Sequence, residues 1–332
     1  MRSGDAACVG TGVRSGLGMI VDLHTRIWDR PEAMGASAAA TVRRRRGEPW
    51  ESVDASDAAH AAATEPVAVA AVLGFESGLL EASIDAEAVA EAVAARPGRR
   101  VGFVGIDPTL GKAVARLEAA LDAGLVGVTV SPAAAGFHPA DTRAMELYEA
   151  AAARGVPVLI ETNAKLAREV RLEFAVPYLL DEVARSFPDL KIVVSSFGLP
   201  WIDQGVALLA KHPNVYAEVS GLVVRSWQLY NAMVQAYQSG VMGQVLFGSG
   251  FPFCDPPAAI KTLYSVNTTS QGTPLPSVPR EQLRTVVERD TLAELGIARP
   301  AHDSDEAAAK SSENDTEPEQ VVAAAPRGSE AG

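Results

Sequence analysis

The sequence is poor in several residue types that would mark a function directly. Its two cysteines, Cys8 and Cys254, are too few for a disulfide framework, so we expect a reducing compartment, the cytoplasm. Aromatic residues make up only 6% of the chain, and the core must therefore consist mainly of aliphatic side chains. No apolar run approaches the roughly 20 residues that cross a bilayer.

Positive charge is also scarce. The formal net charge is −12, and an acidic surface repels nucleic acids and anionic membranes, so we expect neither as a partner. Half of that charge lies in 301–332, where eight acidic residues accompany two basic ones. Without periodicity at either end, the sequence predicts a disordered extension at 1–18 and a disordered acidic tail at 298–332.

Between these ends, short apolar runs alternate with helical stretches. The runs are typical of parallel strands buried on both faces and lie at 20–24, 66–73, 101–106, 126–130, 156–160, 190–195, 215–219 and 244–247. Helices are predicted at 85–95, 111–123, 140–154, 168–186, 201–211, 226–239, 257–266 and, as a final pair, 279–295. Eight strand–helix units predict a (β/α)8 TIM-like barrel over 19–297, with a doubly wound open sheet as the alternative.

The stretch 30–65 shows little periodicity, and we interpret it as a long insertion after the first strand. In a barrel, chemistry takes place at the carboxyl ends of the strands. Of the five histidines, only His24 and His138 fall where they could face such a site. The other three lie in the insertion, before a strand and in the tail: His60, His212 and His302.

Seven stretches of the sequence form a specific set when they are taken together. They lie at 20–28, 103–108, 125–132, 136–139, 187–201, 213–221 and 245–253. These stretches resemble the amidohydrolase-related family, whose members are metal-dependent hydrolases and non-oxidative decarboxylases. The resemblance covers 19–296 and implies a distorted (β/α)8 barrel with a divalent metal, such as zinc, at the carboxyl ends of its strands.

The resemblance also implies five ligand or catalytic positions, and this chain departs from most of them. His24 retains the first histidine of the family's His-x-His pair, but Arg26 stands at the second, and a guanidinium has no lone pair to donate. Glu161 replaces the histidine of strand 5 and could still bind zinc. Ser196 replaces the histidine of strand 6, and Gly250 replaces the aspartate of strand 8. We therefore expect no catalytic metal.

Two roles for Arg26 follow, and the sequence leaves both open. Arg26 could bind an anionic ligand such as a carboxylate, or it could pair with Asp22, Glu161 or Glu218. A pair with Glu161 would fill the place of the metal. The catalytic candidates are His24 and Glu161, and the ligand-binding candidates are Arg26, His138, Ser196 and Glu218. For His24 a hydrogen-bonded core position, and for His138 a surface loop, are the alternatives.

The sequence thus favours a pseudoenzyme that acts as a non-catalytic accessory subunit or a small-ligand binder. The resemblance implies dimers, so the expected partner is a protein, either a second copy or an active relative. The alternative is an active hydrolase or decarboxylase of a small carboxylated substrate. Its rebuilt metal site would use His24 and Glu161 with one of Asp22, Glu218 or Asp255. A third interpretation is metal-free acid–base catalysis by His24 and Glu161.

Overall fold

The structure is a computed structural model that describes residues 19–40, 53–162 and 167–300. The predicted extension at 1–18 and nearly all of the predicted acidic tail lie outside these residues. None of the described helices is long and apolar enough to span a membrane.

Eight parallel strands form the predicted barrel. In spatial order they are β1 (Val21–Thr25), β2 (Val69–Leu73), β5 (Arg100–Gly105), β6 (Gly127–Val130), β7 (Val158–Ile160), β8 (Ile192–Val194), β9 (Val215–Glu218) and β10 (Val245–Leu246). Backbone hydrogen bonds from Leu23 to Phe247 and from Arg26 to Phe251, both 3.1 Å, join β1 to the segment after β10. The predicted fold class is confirmed, and every predicted strand overlaps an observed one.

Helices follow the strands and cover the outside of the barrel. They are α1 (Asp57–Ala63), α2 (Ala86–Ala94), α3 (Ala113–Asp122), α4 (Pro132–Ala135), α5 (Thr142–Ala153), α6 (Leu180–Ser186), α7 (Ile202–Lys211), α8 (Ser226–Gln238), α9 (Pro256–Tyr264), α10 (Arg280–Glu288) and α11 (Thr291–Glu294). Aspartate side chains cap several amino ends, as Asp85 does by accepting a hydrogen bond from the Ala88 N–H. In the lumen, Leu292 and Leu295 at α11 pack against Val21 and Val69, which begin β1 and β2. The last helix therefore closes the amino end of the barrel.

The predicted insertion at 30–65 contains a helix near its carboxyl end. Asp57–Ala63 form α1, and its histidine, His60, is fully buried against β1. The hydroxyl of Thr25 donates to the carbonyl of Ala71 at 2.6 Å, so His60 Nε2 must carry the hydrogen it shares with Thr25 Oγ1 at 2.9 Å. His60 is the one buried residue of this helix and its other residues are mostly half-buried or exposed alanines, so the sequence shows no aliphatic periodicity there.

Two other segments differ from the sequence prediction. Only Leu180–Ser186 of the predicted helix 168–186 is α-helical, because Pro177 lacks an N–H and begins a separate 3-10 turn. After β2, a two-stranded antiparallel hairpin joins β3 (Phe75–Ser77) to β4 (Ala82–Ile84), and it was not predicted. Three-residue strands are too short to show a periodic pattern.

Candidate functional site

An irregularity in β1 turns His24 into the barrel lumen. The pairing of β1 with β2 shifts register between Asp22 and Thr25. Leu23 belongs to the lumen cluster, and the next residue, His24, also contacts side chains at the lumen ends of other strands. A β-bulge permits two consecutive residues to share one face, and bulges commonly re-aim a side chain at a site.

Glu218, the last residue of β9, holds the His24 ring. Its Oε1 accepts hydrogen bonds from His24 Nδ1 at 3.1 Å, the Ser196 N–H at 2.8 Å and the Ser220 hydroxyl at 2.9 Å, and its Oε2 accepts the Ser220 N–H at 2.5 Å. Burial raises the Glu218 pKa, but the charge of His24 and these donors outweigh burial and leave the pKa below its usual value. An ionised carboxylate only accepts, so His24 Nδ1 carries a hydrogen and Nε2 points away from Glu218.

Glu161, which follows β7, forms the other half of the site. Arg26 Nη2 donates to Glu161 Oε1 in a short ion pair, and the Ser131 hydroxyl donates to Oε2 at 2.8 Å. His24 Nε2 lies 3.9 Å from Glu161 Oε1. The Arg26 guanidinium also stands 5.8 Å from the centre of the Phe75 ring. The structure thus contains the ion pair between Arg26 and Glu161 that the sequence suggested.

Ser196 and Gly250 stand at the two remaining family positions, on strands 6 and 8, and neither supplies a metal ligand. The Ser196 Oγ accepts the Gly221 N–H at 2.8 Å and lies 3.2 Å from the Ser220 Oγ. Gly250 has a φ of 77°, and a Cβ added there would lie 3.2 Å from the Ser220 Cβ. Its N–H donates to the carbonyl of His24 at 2.9 Å. Both residues hold the backbone around His24 in place.

Two other candidates lie apart from this group. His138 is exposed, accepts the Ala140 N–H at 3.0 Å on Nδ1, and meets the edge of the Phe174 ring. His138 thus lies at the surface, as in the alternative given for it above, and not in the group around His24. Asp255 is exposed and caps α9 by accepting the Ala258 N–H at 2.7 Å. The structure therefore brings together His24, Arg26, Glu161, Ser196 and Glu218.

A small apolar cavity adjoins the ion pair. Its volume is about 20 Å³, which is room for about one water molecule. Ser131 and Glu161 supply its polar wall, and the rest is lined by Met34, Ala38, Phe75, Leu80, Ala134, Ala167 and Val170. Sequence reasoning missed this apolar wall, because aliphatic side chains and one phenylalanine in a short hairpin carry no chemical signal.

The barrel, with a buried group of polar residues at the carboxyl ends of its strands, defines the class as an α/β-barrel. The family model described as amidohydrolase matches residues 21–284, so the chain belongs to that family. No curated protein matches the sequence.

Solved structures with the same fold include two decarboxylases. An uncharacterised TIM-barrel protein from Bordetella bronchiseptica is 21% identical, with 84% of this chain and 99% of that chain covered at a TM-score of 0.59. The 5-carboxyvanillate decarboxylase from Sphingomonas paucimobilis is 16% identical, with 84% of this chain and 99% of that chain covered at a TM-score of 0.59. A dihydroxybenzoic acid decarboxylase from Polaromonas with bound manganese is 15% identical, with 84% of this chain and 97% of that chain covered at a TM-score of 0.59. At these identities the likeness shows the fold alone.

Asp22 is a buried carboxyl beside this group. Its Oδ1 accepts the Ser249 N–H at 2.8 Å and the His24 N–H at 3.2 Å, while Oδ2 has no partner among the described residues. Burial raises the pKa of Asp22 to about 6, although hydrogen bonds from Ser249 and the His24 backbone act against it. The pKa of Asp22 in the folded protein therefore lies above the usual aspartate value of 3.8.

Asp22→Asn should stabilise the protein more at pH 8 than at pH 5. A raised folded pKa gives stability that is fully present below the unfolded pKa and lost as pH rises through about 6. Asn keeps an Oδ1 acceptor but cannot ionise. We expect the free energy of unfolding of the variant, relative to wild type, to rise by about 1–2 kcal/mol between these pH values. Urea titrations at both pH values measure it, and an unchanged difference would contradict the raised pKa.

Arg26→Met should destabilise the fold by about 3–5 kcal/mol, because it leaves Glu161 buried without a cation. The double variant Arg26→Met/Glu161→Met removes both charges and should recover most of the loss. The control is Arg143→Met, which breaks an exposed pair with Asp141 and should cost less than about 1 kcal/mol. Urea unfolding compares the three variants. Equal losses for Arg26→Met and Arg143→Met would show that the buried pair has no special weight.

Proposed function

We propose that this amidohydrolase-family barrel works without a catalytic metal, as a non-catalytic accessory subunit or a small-ligand binder. The contact between Arg26 and Glu161 carries the proposal. His24 Nε2 lies 3.9 Å from Glu161 Oε1, and the guanidinium of Arg26 donates to that same carboxylate oxygen. A cation already occupies the oxygen that would face a metal.

The donor set does not fit a bound divalent ion. A metal beside Glu161 would meet the permanent positive charge of Arg26, which repels it. Ser196 is engaged with Gly221 and Ser220, and Gly250 has no side chain. Among the residues that the structure describes, no group of three or more His, Cys, Asp or Glu side chains is arranged to hold a metal. Activation of water by a metal is therefore not expected here.

A partner protein is the second element of the proposal. Large apolar side chains are more than half exposed in the segments that follow β7 and β9: Leu172 (52%), Tyr178 (61%) and Trp227 (56%). Aromatic residues are enriched at protein interfaces. These side chains support an assembly with a second copy or an active relative.

A second candidate function is a rebuilt metal enzyme, and the orientation of His24 favours it. Metal-bound histidines usually donate their other ring N–H to a carboxylate, as His24 Nδ1 does to Glu218. In this case Glu161 would have to leave Arg26 and join His24 at the ion. The reaction would be hydrolysis or decarboxylation of a small carboxylated substrate, as the names of the similar structures suggest.

Elemental mass spectrometry of protein grown with zinc, manganese and iron tests the proposal. Wild type should carry less than about 0.1 metal ion per chain, because Arg26 repels the ion. Arg26→His removes that charge and adds a second imidazole beside His24, so its metal content should rise severalfold above wild type. Arg26→Lys is the control, since it keeps a cation and should stay metal-poor. About one metal ion per wild-type chain, lost in His24→Ala, would instead establish the rebuilt enzyme.

A further inference from the structure

His60 is a fully buried histidine outside the group around His24, and it attaches α1 to the barrel. Its Nε2 donates to the Thr25 hydroxyl of β1 at 2.9 Å. Its ring meets the Phe251 ring edge-on, with the ring centres 5.2 Å apart. The contacts from β1 and from the segment after β10 are therefore both uncharged. The Nδ1 of His60 is buried and has no hydrogen-bond partner among the described residues.

The surroundings of His60 disfavour a protonated ring. Protonation would add a hydrogen to Nδ1, for which the described residues offer no acceptor, and it would bury a charge. The charged groups that act on the ring are Arg100 and Arg96, which repel an imidazolium, and Asp57, which attracts one but is paired with Arg100. Burial, and then the charge of Arg100, lower the pKa of His60 from 6.5 to about 3.

Few contacts hold α1 to the strands. His60 is the one buried residue of the helix. At the first residue of the helix, Asp57 pairs with Arg100 through a side chain that is 52% exposed. The helix lies between β1 and β2 in the chain and forms no part of the sheet. Loss of the His60 contacts would therefore release α1 without breaking a strand pairing.

We propose that His60 makes the attachment of α1 to β1 sensitive to pH, so that mild acid releases the helix while the barrel stays folded. A released, exposed histidine takes up a proton near pH 6.5, whereas the buried ring does not, so acid favours the released helix. The stability that His60 gives to the attachment is fully present above pH 6.5 and is lost as the pH falls from there toward about 3. Thr25 directly precedes Arg26, so the release takes place beside the ion pair with Glu161.

Hydrogen exchange of the full chain, followed by mass spectrometry at pH 7.5 and pH 5.0, tests the proposal. Exchange is expressed as protection factors, which removes the pH dependence of the intrinsic exchange rate. The protection of α1 should fall about 30-fold at the lower pH, because a released histidine with an ordinary pKa is then almost fully protonated. Helix α5 should stay protected for longer than α1 at both pH values, since α1 opens without the barrel.

Two histidine variants separate His60 from other groups. His60→Gln keeps an amide N–H for Thr25 but cannot take up a proton, so the protection of α1 should be equal at both pH values. This variant retains Asp22, whose pKa of about 6 lies in the same range. The control is His212→Gln, which removes another buried histidine, 2.8 Å from an oxygen of Asp181, and should keep the wild-type fall in protection.

The wild-type measurement decides the proposal even if a variant fails to fold. Equal protection of α1 at both pH values, or loss of protection in α1 and α5 together, would overturn it. A folded His60→Gln variant with the wild-type pH dependence would also overturn it, because another group would then take up the proton.

Discussion

The ion pair between Arg26 and Glu161 is the interaction on which the interior of this barrel depends. Both side chains are almost completely buried, at 5% and 2% exposure, so either charge alone would be expensive to keep there. Together they neutralise each other, and Ser131 satisfies the second oxygen of Glu161. The pair places a fixed cation beside His24, and the charge balance of the lumen follows from it.

The His24–Glu218 contact is a second, separate constraint. Glu218 collects four hydrogen bonds, two of them from backbone N–H groups, so its position depends on the loops after β8 and β9 as well as on His24. Glu218 therefore fixes the orientation of the His24 ring, independently of any contact that the ring makes through Nε2. The fold thus keeps His24 in the orientation of a metal-binding histidine. Arg26, however, places a positive charge where a metal ion would bind beside it.

Much of this arrangement could be predicted from the sequence. Continuous apolar runs gave all eight strands, and because strand ends of a barrel converge, Arg26 and Glu161 could be expected to meet. The sequence did not predict that His60 is buried, since its neighbours in α1 are alanines that show no apolar periodicity. It also did not predict the hairpin that carries Phe75 to the cavity. The bulge in β1 also escaped prediction, because register depends on the neighbouring strand and not on β1 alone.

An experimental structure of the protein crystallised with manganese, with anomalous diffraction recorded, tests the central claim most directly. We expect Arg26 Nη2 to stay within hydrogen-bonding distance of Glu161, with no anomalous peak between Glu161 and His24 Nε2. A manganese peak at about 2.2 Å from both His24 Nε2 and a Glu161 oxygen, with Arg26 turned away, would contradict it.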